Sequence, residues 1–284
     1  MKRICLILIL LLILLSGCSE ASTPDIVAST LPIYDFTSAL CAGTDISVSR
    51  LVTENVSCLH DYTVQVSQIR DVESAQVVIV NGAGLEDFLA DILQNANQVI
   101  DASKGLELSC SSHHGEHKHE HDPHIWLSPQ YAKQMCQTIC SELSSIYPKH
   151  KEQFESNLSP LLAKLDTLQA DGKKQLQDLK TRELITFHDG FSYFAESFDL
   201  HIVKAVEEES GSEASAKELI ELIDLVNSKQ LPAIFTEVNG SVAAAKVIAA
   251  ETGVKICSLN MAMAGESYFE AMYHNIRTIK EALE

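Results

Sequence analysis

Positive charge is scarce in this sequence: 21 Lys and Arg stand against 39 Asp and Glu, for a formal net charge of −18 at pH 7. Nucleic acid and anionic lipid attract an excess of positive charge, so neither is expected as a partner. None of the 8 cysteines forms a CxxC pair and no HExxH motif occurs, which excludes the compact zinc-finger and zinc-peptidase signatures. The turn in "VVIVNGAG" lacks the third glycine of a dinucleotide-binding motif.

Long apolar runs are also missing, except at the N-terminus, where twelve apolar residues from Ile4 to Leu15 follow Lys2 and Arg3. This pattern is typical of a signal peptide and is too short for a comfortable membrane span. The "LSGC" at 15–18 resembles the lipobox of bacterial lipoproteins, in which the cysteine is acylated. We therefore expect a signal peptide over 1–17 and a lipid anchor on Cys18, which would hold an extracytoplasmic protein at the outer face of the bacterial cell membrane.

Short β-rich runs alternate with segments of helical period, and this alternation occurs twice. The first set predicts strands over 25–29, 46–52, 75–80 and 98–101, and the second over 183–187, 201–206, 232–238 and 254–259. Near-continuous apolar strands between amphipathic helices indicate parallel sheets covered on both faces. The predicted fold class is α/β with two lobes, an N-terminal lobe over 18–147 and a C-terminal lobe over 181–284.

The residues between the lobes, 148–180, have a helical period without strands. Leucines on one stripe predict a single long connecting helix; they are Leu158, Leu161, Leu162, Leu165 and Leu168. Pro160 could kink this helix or begin a second one, and we favour one helix with a local bend. Because a long helix between two lobes makes a poor hinge, a large closing motion is not expected.

Histidine is concentrated in one segment: six of the eleven histidines lie between His113 and His124, in "SSHHGEHKHEHDPHIWL". Two others occupy particular positions, because His60 follows the second predicted strand and His188 ends the first strand of the second lobe. In parallel α/β domains, ligands bind at the carboxyl ends of strands. A lone histidine at such an edge is more often a hydrogen-bonded structural residue, but three histidines at comparable edges favour a metal site.

Five motifs, in order along the chain, resemble those of a known family: "HDY" (60–62), "VVIVNGAGLEDFL" (77–89), "DPHIWLSP" (122–129), "FHDGFSYFAESF" (187–198) and "GESYFEAMYHN" (265–275). The chain resembles the zinc- and manganese-binding solute-receptor lipoproteins of bacterial ABC importers. This resemblance implies two α/β lobes joined by one long helix, with a metal ion between the lobes held by His60, His124 and His188. It also implies a monomer that is not an enzyme and that delivers metal to an ABC transporter permease.

Within that family, zinc is favoured over manganese as the ligand. Imidazole suits zinc in tetrahedral geometry, whereas manganese prefers more oxygen ligands. In manganese-binding members, the position that matches His188 looks to be a carboxylate. The segment 111–122 resembles the family's histidine-rich loops, which are regarded as low-affinity zinc collectors; its histidines are His113, His114, His117, His119 and His121.

The fourth metal ligand departs from the family pattern. Family members often carry an aspartate just before the "GESYF"-like motif, where this sequence has Asn260. We therefore expect water at the fourth position, hydrogen-bonded to Asn260 or Glu237, with Glu237 itself as the alternative oxygen donor.

Two rival functions remain open from the sequence. A zinc hydrolase also uses three histidines and a zinc-bound water, and would need a general base, for which Glu237 is the candidate. A surface adhesin could use the metal for stability alone.

Overall fold

The computed structural model describes residues 23–284 apart from 55, 57–58, 60–61, 109–120, 208–213, 264 and 266. The predicted signal peptide, Cys18 and His60 lie outside the described residues. The same holds for four histidines of the histidine-rich loop: His113, His114, His117 and His119. Within the described part of the chain, no helix has the length and apolar character needed to cross a membrane.

The strands form two parallel four-stranded sheets flanked by helices. The strands are β1 (Ile26–Ala28), β2 (Val48–Arg50), β3 (Val77–Val80), β4 (Val99–Asp101), β5 (Glu183–His188), β6 (His201–Glu207), β7 (Ala233–Glu237) and β8 (Lys255–Leu259). The α-helices are α1 (Leu31–Cys41), α2 (Val66–Ser74), α3 (Ala90–Leu93), α4 (Pro129–Ile146), α5 (Lys151–Gln175), α6 (Ser192–Ser197), α7 (Ala216–Lys229), α8 (Ala243–Thr252) and α9 (Tyr268–Leu283). Short 3₁₀ turns span Asp87–Leu89, Ile125–Leu127 and Pro148–His150. The predicted α/β class with two lobes is confirmed.

Both sheets have the same topology. The strand order is β2-β1-β3-β4 in the first sheet and β6-β5-β7-β8 in the second, with every pairing parallel. In each sheet the chain therefore leaves a central strand in one direction and returns on its other side. The resulting switch points lie between β1 and β3 and between β5 and β7, and the carboxyl edge at a switch point is where open α/β sheets bind ligands.

The largest of three hydrophobic clusters among the described residues extends through both lobes. Its buried residues come from both sheets' helices and from α5, and the ring of Phe36 in α1 packs edge-on against Tyr268 in α9 with centroids 4.9 Å apart. Buried hydrogen bonds cross the same boundary: Trp126 Nε1 donates to the carbonyl of Met261 at 2.7 Å, and the Tyr268 hydroxyl donates to the carbonyl of Trp126 at 2.9 Å. The packing is thus continuous between the lobes, and the absence of a large closing motion stays a prediction.

The connecting helix α5 is continuous through Pro160, which is exposed. Of the predicted leucine stripe, Leu161, Leu165 and Leu168 are buried and the other two are half-buried. The helix ends at Gln175, earlier than the span to residue 180 that the periodicity predicts. The Arg182 guanidinium explains this end, because its Nη2 donates to the carbonyls of Leu176 and Gln177 at 2.8 and 3.1 Å and satisfies acceptors that a further turn would have used.

Candidate metal centre

His188 is the last residue of β5 and lies at the switch point of the second sheet. Its side chain is 2 % exposed, so the imidazole faces the inside of the molecule. Gly190 makes room for the ring: a Cβ at this position would stand 2.6 Å from His188 Cδ2 and 2.9 Å from its Nε2. The end of β5 thus places the imidazole at the carboxyl edge of the second sheet. Because residue 190 is a glycine, the backbone can pass close to the imidazole ring.

His124 lies in the segment that leads into α4. Ser128 caps that helix by accepting the Tyr131 amide, and Pro129 occupies the first helical position. His124 therefore lies before the helix, at the start of the 3₁₀ turn Ile125–Leu127. Asp122 Oδ1 accepts both the His124 backbone amide at 2.9 Å and its ring Nδ1–H at 2.8 Å. A carboxylate on Nδ1 fixes the tautomer and leaves Nε2 as the nitrogen with a lone pair. His124 is 5 % exposed.

The structure brings His124 and His188 together, although 64 positions separate them. Their Nε2 atoms are 3.2 Å apart, and the rings are perpendicular at 89° with centroids 5.0 Å apart. Two nitrogens bound to one tetrahedral zinc, each about 2.0–2.1 Å from it, are about 3.3–3.4 Å from each other. The distance between the two nitrogens is therefore within about 0.2 Å of the edge of a zinc tetrahedron.

Glu237 ends β7, on the other side of the same switch point, and is 5 % exposed. Its Oε1 lies 3.8 Å from Nδ1 of His188, which is the nitrogen facing away from His124. The sequence offered Glu237 as an oxygen donor or a general base. In the structure, Glu237 Oε1 lies on the side of Nδ1, whereas Nε2 is the nitrogen that would carry the metal.

The loop before His60 reaches the same region. Leu59 is fully buried, and Val56 lines a small cleft together with Glu237, Asn260, Met261 and Met263. Val56 of the first lobe therefore lies against the second lobe, beside the carboxyl ends of β7 and β8.

Asn260 follows β8 and is held by its own hydrogen bonds. Its backbone N–H donates to Asn275 Oδ1 and its carbonyl accepts from Asn275 Nδ2, both at 2.7 Å. Its side-chain Oδ1 accepts the Ala262 amide at 2.8 Å. The side-chain oxygen of Asn260 thus helps to shape the turn after β8.

Of the predicted site residues, His124, His188, Glu237 and Asn260 come to one region of the molecule. Among the described residues, no group of three or more His, Cys, Asp or Glu side chains has an arrangement that could hold a metal. The remaining histidine of the predicted loop, His121, is half-buried just before Asp122. Sequence reasoning missed Asp122 as the partner of His124, although the spacing of two residues in "DPH" is the local signal for it.

Most of the chain matches the sequence model of one protein family. The model of the periplasmic zinc-uptake complex component A, ZnuA, matches residues 26–282. The chain belongs to the ZnuA family. The family predicted from the five sequence motifs is therefore confirmed, and the matched region contains both sheets, the connecting helix and every candidate metal ligand named above.

Several proteins similar to this chain carry names that mention zinc. The zinc-binding lipoprotein AdcA of Streptococcus pneumoniae (strain ATCC BAA-255 / R6) is 30% identical over 310 residues; the match covers 100% of this chain but 62% of AdcA, so the chain spans less than two thirds of that relative. A crystal structure of ZnuA superposes with a TM-score of 0.82 at 30% identity, covering 93% of this chain and 100% of that one. The Zn(II)-bound ZnuA-like domain of S. pneumoniae AdcA gives a TM-score of 0.78 at 27% identity, covering 92% and 99%.

Proposed function

We propose that this chain is an extracytoplasmic receptor that binds one zinc ion between its lobes and delivers it to the permease of an ABC importer. The separation of 3.2 Å between Nε2 of His124 and Nε2 of His188 carries this proposal. Both imidazoles are buried, and one comes from each lobe. Their Nε2 atoms face each other at a separation that a shared tetrahedral zinc ion would give. The names of the ZnuA-family relatives supply the same ion independently.

His60 is the proposed third ligand. The burial of Leu59 fixes the chain one residue before it, and Val56 stands beside Glu237 and Asn260. We infer from these neighbours that the His60 side chain approaches the two Nε2 atoms from the first lobe. Three neutral imidazoles make a nitrogen-rich site that favours zinc over manganese.

Water is the proposed fourth ligand, because the usual protein ligands of zinc are Cys, His, Asp and Glu, whereas residue 260 offers only a neutral amide oxygen. Glu237 has a different role in this proposal. A zinc ion bound to Nε2 of His188 requires the ring proton on Nδ1, and Glu237 Oε1 is the carboxylate oxygen nearby, at 3.8 Å. A shift of about 0.6–1.1 Å would turn this contact into a hydrogen bond, so Glu237 would orient the ligand rather than bind the metal.

Competition titration against a chromophoric zinc chelator tests the ligand set. We expect one tight site in the wild type and a loss of about 10²–10³-fold in His60→Ala, His124→Ala and His188→Ala, since a zinc site worth about 10–16 kcal/mol divides among four ligands. His274→Ala is the matched control, because this half-buried histidine is hydrogen-bonded to the Ser258 carbonyl instead. Wild-type affinity in His188→Ala would overturn the assignment. Hydrolysis of ester or peptide substrates by the zinc-loaded protein would favour the rival enzyme.

Asn260→Asp tests the fourth position. Aspartate keeps an oxygen for the Ala262 amide and places a second, charged oxygen where Nδ2 stands. We expect it to displace the water, tighten zinc binding and slow zinc release. Unchanged affinity together with an unchanged coordination shell would mean that residue 260 does not face the metal.

The anchor and the histidine-rich loop complete the proposal. Acylated Cys18 would hold the receptor near the permease, and His113, His114, His117, His119 and His121 would bind further zinc weakly and raise its supply near the cleft. Metabolic labelling with a radioactive fatty acid should mark the wild type and not Cys18→Ala. Equal labelling of both would remove the anchor from this account.

A further inference from the structure

The turn after β3 has an unusual backbone. Gly82, Ala83 and Gly84 all have positive φ, at 83°, 55° and 84°. Two successive amides at the start of this turn, those of Asn81 and Gly82, donate to one acceptor, as in a backbone anion-binding site, whereas the Ala83 amide donates to Ser103 Oγ at 3.0 Å. Here the anion is internal: Glu86 Oε1 accepts the Asn81 amide at 2.7 Å and Oε2 accepts the Gly82 amide at 3.0 Å. The turn that resembled a nucleotide motif is thus filled by a side chain of the same chain.

Glu86 lies at the switch point of the first sheet. Its Oε1 also accepts the hydroxyl of Ser29, which follows β1, at 2.6 Å, while Asn81 follows the neighbouring β3. The side chain is 5 % exposed, and burial raises the pKa of its carboxyl to about 7. A carboxylate is costly to bury, so three donated hydrogen bonds are needed to hold it. The place that binds a ligand in many α/β sheets is occupied here by a fixed acceptor.

Asn81 connects this acceptor to the candidate metal centre. Its backbone amide is held by Glu86, and its side-chain Nδ2 donates to the carbonyl of Pro123 at 3.0 Å, 42 residues away and buried. The second Nδ2 hydrogen goes to the Gly82 carbonyl, also at 3.0 Å, so the amide is held in one orientation. Pro123 directly precedes His124. A residue that follows β3 of the first sheet is therefore hydrogen-bonded to the peptide group between Pro123 and His124.

We propose that Asn81 is a positioning residue for His124, and that Glu86 acts through Asn81 by fixing the turn that carries it. This inference rests on the proposed role of His124 as a zinc ligand. Asp122 sets the tautomer of the ring, whereas Asn81 sets where its backbone lies relative to the first sheet. The opposite side of the segment is held by the second lobe, through the bond from Trp126 Nε1 to the Met261 carbonyl.

Two single variants test the positioning role by competition titration and by the rate of zinc loss to excess chelator. Asn81→Ala removes the side-chain bonds, and Asn81→Asp keeps the shape but has no hydrogens to donate. We expect both to weaken zinc binding by about 3- to 30-fold, below the upper end of the about 10–100-fold known for groups bonded directly to a ligand. The loss in Asn81→Asp is informative, because an added negative charge near the cation would by itself tighten binding.

Asn97→Ala is the matched control. Asn97 Nδ2 donates to the Ala75 carbonyl at 2.8 Å, a bond of the same type in the same lobe, but before β3 and β4 rather than after them. We expect it to lower thermal stability without changing zinc affinity. If the Asn81 variants remain folded and bind zinc as the wild type does, the bond to Pro123 is structural only and the inference fails while the receptor function stands. If the wild type has no tight zinc site, both fail.

The role of Glu86 is tested by a double-mutant cycle. If Glu86 acts through Asn81, Glu86→Gln weakens zinc binding alone but adds little to Asn81→Ala. Losses that simply add in the double variant would show that Glu86 does not work through Asn81. Circular dichroism and the unfolding temperature of the chelator-treated proteins establish that each variant is folded before its affinity is compared.

Discussion

Replacing Asp122 tests the bond that prepares His124 for zinc. Its Oδ1 accepts the ring Nδ1–H at 2.8 Å and the backbone amide at 2.9 Å, and the carboxylate is mostly shielded from solvent. A hydrogen bond to a charged group contributes about 1.5–3 kcal/mol. At about 1.4 kcal/mol per tenfold change in the dissociation constant, Asp122→Ala should weaken zinc binding by about 10- to 150-fold. Asp122→Asn keeps an acceptor oxygen but loses the charge, and should fall between the wild type and the alanine variant.

The measurement is a competition titration of both variants, with Asp25→Ala as the control. Asp25 makes the same kind of contact at the start of β1, where its Oδ2 accepts the amide and hydroxyl of Ser47 at 2.8 and 2.6 Å. That variant should lose some stability and no zinc affinity. Asp122→Ala with unchanged affinity would refute the reasoning, since the tautomer and orientation of His124 would then be set by something else.

Three further predictions concern Gly190, the histidine-rich loop and Glu86. Gly190→Ala should weaken zinc binding more than Gly240→Ala, because the added Cβ comes within 2.6 Å of His188 Cδ2 in the first case and no nearer than 3.1 Å to Glu237 Cβ in the second; equal titration curves would contradict this. Deleting 112–120 should leave one tight site and lower the total zinc bound at high concentration, as measured by equilibrium dialysis, and loss of the tight site would place the loop within it. Burial raises the pKa of Glu86 from 4.5 to about 7, so the folded protein binds this proton more tightly than the unfolded chain, and its contribution to stability falls as pH rises between those values; urea unfolding should show this slope in the wild type and a weaker one in Glu86→Gln.

Much of the fold was predictable because its strands are short apolar runs between amphipathic helices. "QVVIV" and "PAIF" have too few polar positions for a half-exposed strand, which indicates burial on both faces. The connecting helix was predictable from its leucine stripe, but its end was not. That end depends on Arg182 reaching back to two carbonyls, a contact between side chain and backbone that no period in the sequence reveals.

The candidate site was predictable in part. The end of a parallel strand indicated the location of His188, and the family motifs paired it with His124. Their separation of 3.2 Å depends on how two lobes pack, and no spacing in the sequence encodes it. In "GLEDFL" the adjacent acids look alike, yet Glu86 is buried and Asp87 is exposed, because the turn after β3 brings Glu86 back to the Asn81 and Gly82 amides.

A crystal structure of the zinc-loaded protein, with anomalous scattering measured on both sides of the zinc absorption edge, tests the central claim most directly. The account predicts a single strong anomalous peak between the lobes, about 2.0–2.1 Å from Nε2 of both His124 and His188. A third nitrogen from His60 should complete the protein ligands, with one oxygen from water. A zinc ion bound elsewhere, with the Nε2 atoms of His124 and His188 still facing each other across an unbound cleft, would contradict it.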